Sequence, residues 1–149
     1  MKSFEKSVAI NCSVEELFNF HLDTNNLKHI TPPDTKVELL TPNLDIKEGA
    51  VLKLKTTKHF ISTIWEIQIQ KLISPSLLID VSLKSPFTYW EHSHIFEKRE
   101  EGCLMRDVVN YTLPFGFIGN SFDFLIQKEL KNMFEFRHNV TKTMLEEKS

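Results

Sequence analysis

The chain has little of what compact chemical motifs are made from. Its 149 residues include two cysteines, Cys12 and Cys103, too few and too isolated for a zinc ligand set or a disulfide framework, so both are expected as reduced packing residues. Glycine and proline number four and six, and they form neither a Gly-rich phosphate loop nor a nucleophile elbow. No run approaches the roughly eighteen apolar residues of a membrane span, and the opening MKSFEKSVAINCS lacks a signal-peptide core; the expectation is a cytoplasmic protein. Positive charge is not concentrated: 18 Lys+Arg stand against 20 Asp+Glu, a net charge of -2, with no basic cluster longer than a pair. Phosphate binding needs clustered cations, so nucleic acid is not expected as a partner.

What the chain does have is apolar bulk, 41% of its residues, including twelve Phe. That is enough to bury a sizeable core in one domain over residues 1–149. From Asn120 onward neither Gly nor Pro interrupts the sequence, which predicts a helix from Ile118 to about Glu146, a rod roughly 40 Å long. At 100° per residue, Ile118, Phe122, Ile126, Leu130, Met133, Phe136, Val140 and Met144 share an arc, and the polar residues fill the rest. An apolar arc of this size needs a sheet opposite it. Arg137 lies on the same arc, either with its stem packed and its guanidinium escaping to water or with its charge facing a cavity.

Upstream, residues 3–11 alternate as a half-buried strand, with Phe4, Val8 and Ile10 on one side. Ser13 and Glu16 form a capping box that opens a short helix burying Val14, Leu17, Phe18 and Leu22. A second short helix starts at Asp23-Thr24, carries Leu27 and Ile30, and stops at Pro32-Pro33. A weak strand over 36–40 and a loop over 41–49 precede five clearer strands, at 51–57, 61–71, 76–83, 89–98 and 103–113. In the third of these Leu77, Ile79, Val81 and Leu83 are expected inward. One apolar and one polar face per strand means an antiparallel sheet, wet on its back and covered in front, so the fold class is α+β. A straight helix cannot follow a twisted sheet along its whole length, and a cavity is expected where they part.

The polar residues that share the inward faces are few. Joining 89–98 to 103–113 by a four-residue turn pairs Lys98 with Cys103 and sets His94 opposite Asp107, His92 opposite Val109 and Trp90 opposite Tyr111. An imidazole beside a carboxylate suits acid/base chemistry or a structural hydrogen bond. His92, His94 and Asp107 also resemble a ligand triplet, but no metal site and no cofactor is expected. His21, His29, His59 and His138 read as surface or helix-edge residues, and Tyr111, Trp65 and Trp90 as core or cavity-wall aromatics.

The order of elements, with NLKHITPP from Asn26, SPFTYWEHSHIFE from Ser85, MRDVVNYTLPFGFIG from Met105 and FEFRHNV from Phe134, resembles the START/Bet v 1-like (SRPBCC) superfamily, often called polyketide cyclase/dehydrase-like. The resemblance covers nearly the whole chain. It implies a helix-grip fold, a seven-stranded antiparallel sheet around a long C-terminal helix, with two small helices closing one end of a hydrophobic cavity. The superfamily includes lipid and steroid carriers, quinone-binding proteins, aromatase/cyclases and activators of a chaperone ATPase, so the fold does not choose the function. The leading expectation is a carrier or sensor of a small hydrophobic molecule held by Trp65, Trp90, His92, His94, Asp107, Tyr111, Phe122, Ile126, Met133 and Arg137. The alternatives are a cyclase or dehydratase working through His94, Asp107, Tyr111 and Arg137, and a module that binds another protein.

Overall fold

Alternation at the start of the chain produces the first strand, β1 (Lys2–Ile10), whose inner row ends on the fully buried Ile10. The structure, a computed structural model, describes residues 1–147. Helix α1 (Val14–Leu22) opens as the capping box requires, with the Ser13 hydroxyl accepting from the Glu16 N–H at 3.1 Å. It buries Val14, Leu17, Phe18 and Phe20, while Leu22 is only partly covered. The second short helix is a 3-10 turn, Thr24–Lys28, capped by the Asp23 carboxylate accepting from the Asn25 N–H. Then follow β2 (Thr35–Leu39), β3 (Val51–Lys58), β4 (Ile61–Ile73), β5 (Leu77–Lys84), β6 (Tyr89–Lys98) and β7 (Cys103–Thr112).

The seven strands form one antiparallel sheet in the order β1-β7-β6-β5-β4-β3-β2. Consecutive strands from β2 to β7 are hairpin neighbours, and α1 with the 3-10 turn carries the chain from one edge to the other. The β6–β7 register is Lys98 to Cys103, His94 to Asp107, His92 to Val109 and Trp90 to Tyr111, as the alternation predicts. Its turn needs Gly102, at φ +82°, because a Cβ there would stand 2.4 Å from the Ile10 carbonyl oxygen. The β3–β4 turn has no glycine: His59 and Phe60 take positive φ themselves, and the Phe60 ring is left fully exposed.

One strand-level expectation is corrected. In β5 the inward residues are Leu78 and Asp80, not the row of Leu77, Ile79, Val81 and Leu83; Leu83 is exposed. The more apolar row lost because Asp80 has an imidazole to meet inside, and a satisfied buried carboxylate fixes the strand's parity more strongly than a few methyl groups.

The terminal helix is also shorter and rotated. A short α2 (Gly116–Asn120) precedes α3 (Asp123–Glu147), so the rod does not begin at Ile118. Ile118 and Phe122 stand exposed, as do Phe115, Phe117, Phe124 and Leu125. The buried line of α3 is Leu130, Phe134, His138, Thr141 and Leu145, whereas Met133, Phe136, Val140 and Met144 are half-buried on its flank. At 100° per residue the buried line lies roughly 110° around from the arc expected from apolar residues alone. Two of its five members are polar, and one of them, His138, has a partner deep in the sheet. Burying Phe134 completely contributes about 1.5 to 3 kcal/mol, of which a half-buried Phe136 gains only part.

The helix lies over the β1 side of the sheet. Gln127 donates to the Ser3 carbonyl at 3.1 Å, and the Lys142 ammonium donates to the Ala9 carbonyl at 2.7 Å, so its side chains cover the edge that β1 exposes. Near its C-terminal end a core of Ile10, Leu17, Phe18, Phe96, Met105 and Leu145 closes the gap between α1 and the sheet. Cys12 and Cys103 join this core as free thiols 3.8 Å apart, and burial pushes both thiol pKa values up, Cys12 to about 12. Near its other end Trp90, Val109, Tyr111, Leu130 and Phe134 pack together. Helix α1 packs on β6 and β7 and the 3-10 turn beside β2, which leaves the β3–β5 half of the sheet facing open space.

Candidate functional site

That space is a cavity of about 500 Å³. Its walls are Leu52 and Leu54 of β3, Trp65, Ile67 and Ile69 of β4, and Leu78 of β5, roofed by Phe20, Leu27 and Ile30 and bounded by Leu130, Met133 and Arg137 of α3. Most of the lining is hydrocarbon, which is what an apolar guest requires. It reaches the surface where exposed Asp34 and Glu129 line it, and there Lys58 bridges them, 2.6 Å from Glu129 and 3.5 Å from Asp34. The Glu129 contact raises the Lys58 pKa, so the bridge stays charged at neutral pH.

One end of the cavity is polar. Asp80 of β5, His92 and His94 of β6, His21 of α1 and Arg137 of α3 all line it. Behind them Asp107 of β7 is almost completely buried and accepts two short hydrogen bonds, from His92 Nε2 to Oδ1 and from His138 Nε2 to Oδ2, both 2.6 Å. Burial alone would raise the Asp107 pKa, but the bonds from His138 and His92 hold it well below the usual carboxylate range. Burial and the neighbouring His94 lower the His92 pKa despite its bond to Asp107, so this imidazole stays neutral. His94 donates from Nε2 to Asp80 Oδ2 at 2.9 Å, and its ring stacks on His92 with centroids 3.7 Å apart. His94 Nδ1 lies 3.5 Å from Asp107 Oδ1 without a hydrogen bond.

The cross-strand neighbours predicted from sequence are therefore adjacent and on one face, but the bonds run diagonally: Asp107 with His92 and His138, His94 with Asp80. Asp80 and His138 were not among the residues expected here, and reading His138 and His21 as surface residues is corrected. His138 is fully buried. His21 donates from Nδ1 to the Leu17 carbonyl at 2.9 Å, and burial together with His94 lowers its pKa to about 3. A signal for His138 was present: it stands eight residues after Leu130 and three before Thr141 on a helix whose inner line continues through both. Asp80 carried none, since its strand reads more plausibly with the opposite face inward.

Of the other expected residues, Trp65, Trp90 and Met133 line the cavity. Tyr111 sits in the aromatic core, its hydroxyl donating to the Asp123 carboxylate and accepting from Gln127 Nε2 at 2.7 Å, with burial and Asp123 pushing its pKa up to about 12. Ile126 packs beside it, and Phe122 faces outward, so neither borders the cavity. Arg137 holds its guanidinium carbon 5.5 Å from the Phe134 ring centre, and its Nε is buried with no hydrogen-bond partner. Burial lowers its pKa, while Asp107 and Asp80 oppose that shift at longer range.

Asp80, His92 and His94 can each bring a ligand atom within 4.8 Å of the others. In the observed geometry His94 and Asp80 bond each other and His92 bonds Asp107, each imidazole through its Nε2. The arrangement is that of a hydrogen-bonded network in a cavity wall.

Residues 10–136 match the family described as "Polyketide cyclase / dehydrase and lipid transport". The chain belongs to this family. Its fold is shared with Protein CV1439 from Chromobacterium violaceum, at 10% identity and a TM-score of 0.79, covering 97% of this chain and 96% of that one. It is also similar to Ara h 8.0201, at 11% identity and a TM-score of 0.67 over 94% and 97% of the two chains. The di-domain ARO/CYC StfQ from the steffimycin biosynthetic pathway aligns at 12% identity and a TM-score of 0.74, over 98% of this chain and 51% of that protein. No curated protein matches the chain in sequence. At these identities the likenesses concern the helix-grip fold. No helix among the described residues is long and apolar enough to cross a membrane.

Proposed function

We propose that the chain binds a small hydrophobic molecule, of lipid, quinone or polyketide-like class, inside this cavity and acts as its carrier or sensor. The observation that carries the reading is the 500 Å³ apolar space bounded by β3–β5, the 3-10 turn and α3. Such a volume lies in the range of small-molecule sites, and an empty hydrocarbon-lined space gains free energy when an apolar guest replaces water. An uncharged solvatochromic dye such as Nile red tests it. The dye should bind saturably at one site per chain with a blue-shifted emission, and Leu54→Trp, which adds bulk to the cavity wall, should weaken its binding several-fold while the fold persists. Binding that never saturates, or whose affinity is unchanged in Leu54→Trp, would remove the reading.

A second reading, proton transfer of the cyclase or dehydratase type, has one observation in its favour. His92 borders the cavity with Nε2 oriented by Asp107, which leaves the other ring nitrogen of a neutral imidazole as a base. Turnover of a bound ketone that disappears in His92→Gln, with dye binding retained, would establish it over passive carriage.

A further inference from the structure

The polar end of the cavity contains a cation whose donors are not used. A guanidinium carries five N–H donors. In Arg137 the Nε donor is buried without a partner, and no carboxylate among the described residues lies within ion-pair distance of the group. The two acidic side chains whose charge acts on it bond elsewhere: both Asp107 oxygens accept from His92 and His138, and Asp80 accepts from His94. Their charges reach Arg137 only through space, and the Phe134 face 5.5 Å away offers attraction but no hydrogen-bond acceptor. A half-buried cation left with open donors at the end of an apolar cavity is unfavourable until an acceptor arrives.

We infer that Arg137 is the anchor for a carboxylate at one end of an otherwise apolar guest. The inference rests on the cavity reading above and adds the chemistry of the guest's polar end. The planar guanidinium fork matches a carboxylate with two parallel N–H···O bonds, a geometry that a hydroxyl cannot return. The guest's hydrocarbon part then extends away from Arg137 along Leu78, Ile69, Leu54 and Trp65, all on the cavity wall. The Lys58 bridge to Asp34 and Glu129 stands where the cavity meets solvent, so a carboxylate held at Arg137 lies within the cavity rather than at its rim.

The test compares dodecanoate with dodecanol, which share the chain and differ in the head, by displacement of Nile red at pH 7.5. The parent protein should bind dodecanoate at least about tenfold more tightly than dodecanol, and Arg137→Met should erase that difference while leaving dodecanol affinity within about twofold. Equal affinity for the two in the parent protein overturns the anchor and leaves the cavity reading standing. Failure of both to displace the dye overturns both. A preference for dodecanoate that persists in Arg137→Met also overturns the anchor, because the carboxylate is then held elsewhere. Should Arg137→Met not fold, the comparison within the parent protein decides the matter alone, and Arg137→Lys, which keeps the charge but loses the fork, should weaken dodecanoate selectively.

Discussion

Asp107 and Arg137 belong to one polar cluster and show opposite degrees of satisfaction. Asp107 sits behind the cavity wall with both oxygens bonded at 2.6 Å by imidazoles from a strand and a helix, so it ties β6, β7 and α3 together. Arg137, one residue before the helical partner of Asp107, lines the cavity with its Nε buried and unpaired. A saturated buried network specifies a fold; an unsaturated group on a cavity wall specifies a guest. One residue along a helix is a rotation of about 100°, enough to move a side chain from the network to the cavity.

The sharpest way to break that contrast is Asp107→Asn. An amide offers one acceptor oxygen and one donor nitrogen where the carboxylate offered two acceptors. One imidazole must then move its proton to the other ring nitrogen, and for His138 that nitrogen, Nδ1, is buried without a partner. The variant should lose about 3 kcal/mol in urea unfolding, the cost of a strained buried network next to an unsatisfied donor. A loss below about 1 kcal/mol would place Asp107 in the same loosely held class as the cavity wall.

Next in size is the response to acid. His21 and His92 have folded pKa values below the unfolded value, so the unfolded chain takes up protons that the folded chain refuses. Their contribution is fully present above about pH 6.5 and is lost as pH falls from there, for His21 toward about 3. Asp107, also depressed, adds its own loss only below about pH 4, as its carboxylate protonates in the unfolded chain first. Between pH 6.5 and 5.5 His21 should therefore cost at most about 1.4 kcal/mol, less to the extent that water reaches its half-buried ring. Replacing it by Gln should flatten the unfolding free energy over that unit of pH. An unchanged slope would mean that His21 is solvated and lies outside the network.

The division between network and wall also explains what could be read in advance. The β6–β7 register was legible because two ten-residue alternating strands meet at a turn that only glycine fits, and any one-residue slip would turn Asp107 outward. The capping box at Ser13 was legible because it is local. The face of α3 was not, since apolar periodicity gives no weight to His138 and Thr141, which are buried, and full weight to Ile118 and Phe122, which are exposed. Asp80 was hidden for the same reason: its strand turned its more apolar row outward to let a carboxylate reach His94. Arg137 stood out because a lone cation on an apolar arc is improbable in either role, although the orientation of its donors depends on contacts across the sheet.

The smallest expected effect on stability, and the finest test of the contrast, comes from Asp80→Asn. Asp80 accepts one hydrogen bond, from His94 Nε2 at 2.9 Å, and lines the cavity. An asparagine can turn its carbonyl oxygen to the same donor and its amide nitrogen toward the open space, so the loss should be only about 0.5 to 1 kcal/mol, well under that of Asp107→Asn. The electrostatic consequence is more informative. Asp80 is one of two carboxylates whose charge offsets Arg137, and a carboxylate guest must approach against it. Removing that charge should tighten dodecanoate binding several-fold and leave dodecanol unchanged in the same dye-displacement measurement. Weaker dodecanoate binding in Asp80→Asn would show instead that the carboxylate holds Arg137 in place, and Asp80 would then belong with Asp107 on the structural side of the comparison.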